Sequence, residues 1–341
     1  MKINIPIPLP YLIISAVVFS SVYAGQEGQN SLAEAETLLV RQDYDSARRC
    51  LSEYTHGGAE ENYALYLRVA IEQTELLDYE SYTIRGDRFI KIADSIRTVL
   101  ECRLPGLSGR DSTLCLFYIA NIYGGTGVIK AKMGTWFPAI KNSLTSVGLL
   151  KEAVQRDSAL YAAMLGIGAF HYYLSKSFTW LPFIDEDSQK RGVLEIQRAI
   201  SAPSLFRFAA QNTLCWILID QEQFDRADSV AQSALQETPG STIFLRIRCL
   251  IAFWSGHYDR AIELGQKLSE MSLMRDPVNW SDYVMAYYVL SGSYDGLGKV
   301  KEALAAIRHI MGTNIPQEFR KIPTIRKNFN RILEIKNECL Q

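Results

Sequence analysis

Glu222-Gln223-Phe224-Asp225-Arg226-Ala227 and Gly256-His257-Tyr258-Asp259-Arg260-Ala261 are two versions of one phrase: a short polar turn, an aromatic, an Asp, and an Ala three residues after the aromatic. The two alanines stand 34 residues apart. With looser wording the phrase returns as Gln42-Asp43-Tyr44-Asp45-Ser46-Ala47, Gly134-Thr135-Trp136-Phe137-Pro138-Ala139 and Gly298-Lys299-Val300-Lys301-Glu302-Ala303. Each part has a physical task. A Gly or polar residue lets the chain reverse after one helix, and the aromatic wedges between that helix and the next. Asp45, Asp225 and Asp259 suit the start of the second helix, where a carboxylate caps or faces the positive end of the dipole. Pro138 suits the same turn, which needs no N–H from it. The small Ala lets two helices approach closely.

An independent position agrees. Twelve residues before each of these alanines, inside the first helix, stands a small residue: Ala35, Gly127, Cys215, Cys249 and Ser291. With the 34-residue period, these two positions make the chain resemble tetratricopeptide-repeat (TPR) proteins of an exported bacterial type over most of its length. The resemblance implies an all-α fold, an α-α superhelix in which TPR-like helix pairs stack as a right-handed solenoid, with about twelve helices or more and no sheet. Residues 25–104 are expected to hold N-terminal helix pairs, with a degenerate pair at 60–103 that lacks the phrase. Residues 105–312 continue the superhelix. Within them a pair between Leu160 and Ser201 (Gly166 and Gly168, then Gly192 and Ala199) is interrupted by a loop insertion at 175–190. Residues 313–341, rich in Lys and Arg, close the array as a solvated capping helix.

The first 24 residues have the form of a secretory signal: Lys2 as the positive start, Leu12 to Phe19 as the apolar stretch, and Val22-Tyr23-Ala24 as the cleavage site. Pro6, Pro8 and Pro10 leave too short an apolar run for a membrane span. No Cys directly follows the expected cleavage, the nearest being Cys50, so a lipid anchor has no attachment point. The expected location is periplasmic or secreted, with no integral membrane segment once the signal is removed. The charges nearly cancel, 36 Lys+Arg against 37 Asp+Glu, so nothing suggests a nucleic-acid partner.

Six cysteines in an exported chain raise the question of disulfides. Cys215 and Cys249 occupy equivalent places one repeat apart, too far for a bridge, and read as small packing residues. Cys102 and Cys115 flank a loop containing Pro, Gly and Ser, and a bridge between them is expected; Cys50 and Cys339 remain single. The four histidines show no metal-ligand spacing, and no metal or cofactor is expected. Gly124-Gly125-Thr126-Gly127 before Lys130 has the wrong order for a phosphate loop and lies within a first helix, where Gly127 is a packing residue. Asp185-Glu186-Asp187 reads as a solvated hinge, or a mouth-side cation contact, rather than an acid–base pair. No nucleophile signature occurs, and the chain is expected not to be an enzyme.

In the TPR family the concave face is formed by a fixed set of first-helix positions. Carried onto this sequence, the resemblance implies Trp216 and Asp220 in one unit, Arg246, Phe253 and Trp254 in the next, and Tyr288 and Asp295 in the last. Tyr172 and Tyr173 come from the interrupted pair. Trp180 and Phe183 lie in the inserted loop as a lid. Two readings stand side by side: a recognition groove with aromatic anchors, or a core filled by the loop. The expected function is an exported scaffold for a protein or peptide partner in the cell envelope. The alternative is a periplasmic small-molecule solute-binding protein of helical-repeat type.

Overall fold

The computed structural model describes residues 26–52, 54, 59–177, 187–201 and 206–340. The signal residues and the lid residues Trp180 and Phe183 lie outside the described residues. Among the described residues the regular structure is helical, with no strand. The chain opens with α1 (Gln26–Val40), α2 (Tyr44–Ser52), α3 (Ala59–Asp78) and α4 (Tyr82–Arg103). It continues with α5 (Gly109–Lys132), α6 (Trp136–Arg156), α7 (Ala163–Ser177) and α8 (Asp187–Ser201). Then come α9 (Phe206–Asp220), α10 (Phe224–Glu237), α11 (Thr242–Trp254) and α12 (Tyr258–Leu273). The chain closes with α13 (Trp280–Gly296), α14 (Val300–Gly312), the short α15 (Gln317–Arg320) and α16 (Pro323–Cys339).

The phrase has one backbone form. Its first residues, Gln42, Gly134, Glu222, Gly256 and Gly298, have φ of 64°, 84°, 56°, 77° and 69°. That left-handed step ends the first helix. The next residue's N–H then reaches back to a first-helix carbonyl, Asp43 to Leu38, Thr135 to Lys130, Gln223 to Leu218, His257 to Ala252 and Lys299 to Tyr294, at 2.8 to 2.9 Å. The same residue's carbonyl accepts the N–H of Ala47, Ala139, Ala227, Ala261 or Ala303, at 2.9 to 3.2 Å. One residue thus closes one helix and opens the next, which forces a tight antiparallel pair. Asp43 also caps α2 through its side chain, accepting from the Ser46 N–H at 3.1 Å. The Gln223 and His257 side chains make no such cap, so Asp225 and Asp259 act through the dipole.

The small residues at both packing positions are buried: Ala35, Cys215, Cys249 and Ser291 in first helices, and Ala47, Ala227, Ala261 and Ala303 in second helices, are wholly inaccessible. Gly127 shows why size matters. A Cβ there would lie 3.0 Å from Ser143 Oγ and 3.1 Å from the Ala139 carbonyl. In the α7/α8 pair the approach is closer still, and a Cβ on Gly168 would come within 2.6 Å of the Gly192 carbonyl. These are stacked helix pairs of tetratricopeptide type.

A sixth left-handed step occurs at Glu80, φ 53°, before Ser81-Tyr82, where the Ser81 carbonyl accepts the Ile84 N–H at 3.0 Å. It joins the degenerate pair α3/α4. By register Gln73 and Arg85 take the two positions elsewhere held by small residues.

The chain divides into two compact units: Asp78–Ile84 groups with Leu218 onward, and Arg85–Ile217 groups with the described residues up to Leu77. The closing helix differs from a solvated cap. Ile322, Ile325 and Ile332 are fully buried in a cluster with Tyr283, Ile307 and Ile310, so α16 adds core to α13 and α14. Helix α5 is apolar and long enough to cross a bilayer, yet 94% of its apolar window is buried inside the protein, which makes it a core helix.

Candidate binding face

Within the unit of Arg85–Ile217 and the residues before Asp78, a run of rings links first helices. Tyr63 and Tyr66 of α3 lie 5.6 and 5.0 Å from Tyr118 of α5, and Phe117 lies 5.1 Å from Phe206 of α9. At its far end the Tyr63 hydroxyl donates to Glu36 of α1. Burial pushes the Glu36 carboxyl up to about 8, so near neutrality it is held largely as the uncharged acid. Burial likewise raises Tyr118 above the usual phenol range. Between α7 and α8, His171 Nδ1 lies 2.7 Å from Glu195 Oε2.

Further along α9, Asn212 is 3% exposed, and neither its amide nitrogen nor its amide oxygen has a hydrogen-bond partner. The neighbouring Gln211 Oε1 and the Thr126 Oγ1 of α5 are buried in the same condition. Asn212 stands three residues before Cys215, the place that Arg246 holds before Cys249 and Tyr288 before Ser291. That register was available in the sequence. A short amide at that place does not stand out beside aromatics and charges.

Several of the expected face residues are core. Tyr172 is 1% exposed, and Tyr173 and Trp216 are also buried. Tyr172 fills the contact that Gly192 opens, since a Cβ at Gly192 would lie 3.1 Å from Tyr172 Cβ. Its ring packs edge-on against Tyr173 at 5.2 Å. The reason is the double glycine, which brings α7 and α8 so close that the ring beside them is enclosed.

In the other unit Arg246 is committed to an ion network. It reaches Asp78 Oδ1 at 3.3 Å and Asp282 Oδ1 at 2.8 Å, while Arg275 reaches Asp78 Oδ2 at 2.6 Å. Asn279 Nδ2 and Arg246 Nη1 each donate to the Asp78 carbonyl at 3.3 Å. The Arg275 guanidinium lies 4.7 Å over the Tyr79 ring, and the Tyr79 hydroxyl donates to the Pro277 carbonyl at 3.0 Å. Burial pushes Asp282 above the usual carboxylate range, against the pull of Arg246. Arg246 is therefore a structural cation rather than an exposed anchor.

Phe253 and Trp254 remain half-exposed, as does Asp220. Tyr288 meets Phe253 edge-on at 5.2 Å and carries the Arg331 guanidinium of α16 at 5.1 Å from its ring centre. A Cβ on Gly292 would lie 2.7 Å from Phe253 and 3.4 Å from Ile335. Cys339 Sγ donates to Asp295 Oδ1 at 3.2 Å. The closing helix thus packs over the Tyr288 and Asp295 part of the expected face.

The expected Cys102–Cys115 bridge is not formed. Cys115 is buried in α5 with its thiol toward the Leu100 carbonyl at 3.6 Å, whereas Cys102, two positions on and so on another side of α4, is exposed. Burial pushes the Cys115 thiol up to about 11, which leaves little reactive thiolate. Among the described residues no three His, Cys, Asp or Glu side chains converge on a metal position.

No family model matches this chain, and no curated protein matches it. Solved structures similar to it include NprR in complex with its cognate peptide NprX, at 13% identity and TM-score 0.45, covering 93% of this chain and 86% of that one. A Rap protein complexed with competence and sporulation factor is similar at 14% identity and TM-score 0.49, covering 92% and 87%. A tetratricopeptide repeat protein from Parabacteroides merdae is similar at 11% identity and TM-score 0.40, covering 91% and 100%. The assignment to TPR-type helix pairs rests on the turn and packing geometry of the chain itself.

Proposed function

We propose that this chain is an exported binding scaffold that holds a protein or peptide partner in the cell envelope. Export is supported by Lys2, the apolar stretch from Leu12 to Phe19 and the Val22-Tyr23-Ala24 site. The observation that carries binding is Asn212. A buried amide with both its donor and its acceptor unmatched runs against the rule that buried polar groups are paired. An amide offers one donor side and one acceptor side, which is the complement of a peptide group in an extended chain. It belongs to a first helix, α9, and first helices line the recognition face of helix-pair arrays, which supports this reading.

Native mass spectrometry of the purified full chain tests this. The expected result is a retained polypeptide that is released by Asn212→Leu, which keeps the branching at Cγ and removes both polar atoms, in a variant that still unfolds cooperatively. A retained small solute in place of a polypeptide would move the function to solute binding. Retention indifferent to Asn212→Leu would remove this residue from the face.

A further inference from the structure

Helix α6 carries an apolar ridge that the packing does not use. Phe137 is 89% exposed, Leu144 54%, Trp136 49% and Ile140 40%. Spaced at one, four and eight residues from Trp136, they run along one side of the helix over its first turns. The ridge begins at a firmly seated turn, since Met133 packs so tightly on α4 that a Cβ at Gly86 would lie 2.5 Å from its sulfur. Along this stretch of the sequence the charged side chains are all cationic. From Ser112 to Lys151 the sequence contains Lys130, Lys132, Lys141 and Lys151 and not one Asp or Glu, in a chain whose net charge is −1. Lys141 and Lys151 are exposed on α6 itself, and Lys130 and Lys132 lie in the last turn of α5.

We propose that this ridge is a peripheral contact site for an anionic phospholipid surface. Trp, Phe and Leu beside Lys is the composition of an interfacial helix, in which rings enter the headgroup region and ammonium groups stay at phosphate level. A protein partner's hot spots occupy enclosed, desolvated pockets. Here the two rings project from a ridge at the start of a helix, a shape suited to a soft, deformable phase. The apolar area is small, so contact is reversible and needs both signals, rings and Lys charge. It would hold the scaffold reversibly at a membrane, and it stands independently of the Asn212 face.

Co-sedimentation of the full chain with phosphatidylcholine vesicles, with and without phosphatidylglycerol, is the test. The apolar leader is common to every variant. The expected result is phosphatidylglycerol-dependent partitioning that falls about tenfold or more in Trp136→Ser/Phe137→Ser. In Lys130→Gln/Lys132→Gln/Lys141→Gln the dependence on phosphatidylglycerol should disappear. If the double ring variant melts lower than wild type, Phe137→Ser alone decides, because that ring makes little packing contact to lose. The proposal is overturned if the ring variants partition like wild type, or if wild type partitions equally without phosphatidylglycerol. It is also overturned if the rings prove to hold a second copy of the chain or a polypeptide and leave vesicle binding unchanged.

Discussion

The turns at Glu80-Ser81-Tyr82 and Glu222-Gln223-Phe224 share a left-handed step, with φ of 53° and 56° at their glutamates, yet their surroundings are opposite. Around the second turn Glu222 and Asp225 are exposed, and the turn does no more than reverse the chain. Around the first, Asp78, Glu80 and Ser81 are buried. Asp78 faces two guanidinium groups, and the Glu80 carboxylate accepts from Thr324 Oγ1 at 3.1 Å. The left-handed step is generic to the repeat, and its side chains decide whether a turn is solvated or anchored by charge.

The sharpest way to break the comparison is to remove the acid from each turn. Asp78→Ala leaves Arg275 and Arg246 with less compensation in a buried setting, and should lower unfolding free energy by about 3–5 kcal/mol. Asp225→Ala removes only an exposed first-turn charge, and should cost about 0.3–1 kcal/mol. Urea unfolding of both variants checks this. Equal losses would mean that the ion network does not hold the 78–84 turn.

Much of this architecture was legible from residues, and the reasons are local. The repeated phrase corresponds to a left-handed residue, a shared cap, an aromatic and a small residue, each set by backbone geometry within a few positions. The sixth turn escaped because its small residues are replaced by Gln73 and Arg85, although Tyr82 keeps the aromatic. The face was less legible. Tyr172 and Trp216 hold positions that the family leaves open, and whether a ring there is exposed depends on how close the neighbouring helices stand. Gly168 and Gly192 set that distance for Tyr172 from opposite sides of a long insertion. Arg246 owes its role to Asp78, 168 residues earlier in the chain, and no local pattern announces such a partner.

A buried acid without a cation sharpens the contrast with Asp78. Glu36 has Tyr63 as its hydrogen-bond partner, and burial raises it from 4.5 to about 8. The folded state therefore holds this proton more tightly than the unfolded state. Its contribution is complete below pH 4.5 and is lost as pH rises through about 8. Glu36→Gln keeps an uncharged hydrogen-bonding group and cannot ionise. Above the shifted value it should be more stable than wild type by about 2–4 kcal/mol, with little difference in mild acid. Thermal unfolding across pH 4 to 9 would show the two curves diverging upward in pH. Parallel curves would place the Glu36 carboxyl in contact with water.

The smallest effect compares the two turns directly, by one substitution made in both. A non-glycine residue held at positive φ is strained by its Cβ, and Gly removes that strain at a cost in unfolded-state entropy. Glu222 is exposed, so Glu222→Gly should gain about 0.5–1 kcal/mol, the net of these two terms. Glu80 has the same φ but is buried, and its carboxylate accepts from Thr324. Losing that acceptor leaves a hydroxyl to find another partner and costs about 1–3 kcal/mol, more than the strain returned, so Glu80→Gly should destabilise. Opposite signs in urea midpoints would show that identical backbone steps are valued by their side-chain surroundings. Two gains of equal size would mean that the Glu80 contact with Thr324 contributes nothing, and that the 78–84 turn is held by Asp78 and Tyr79.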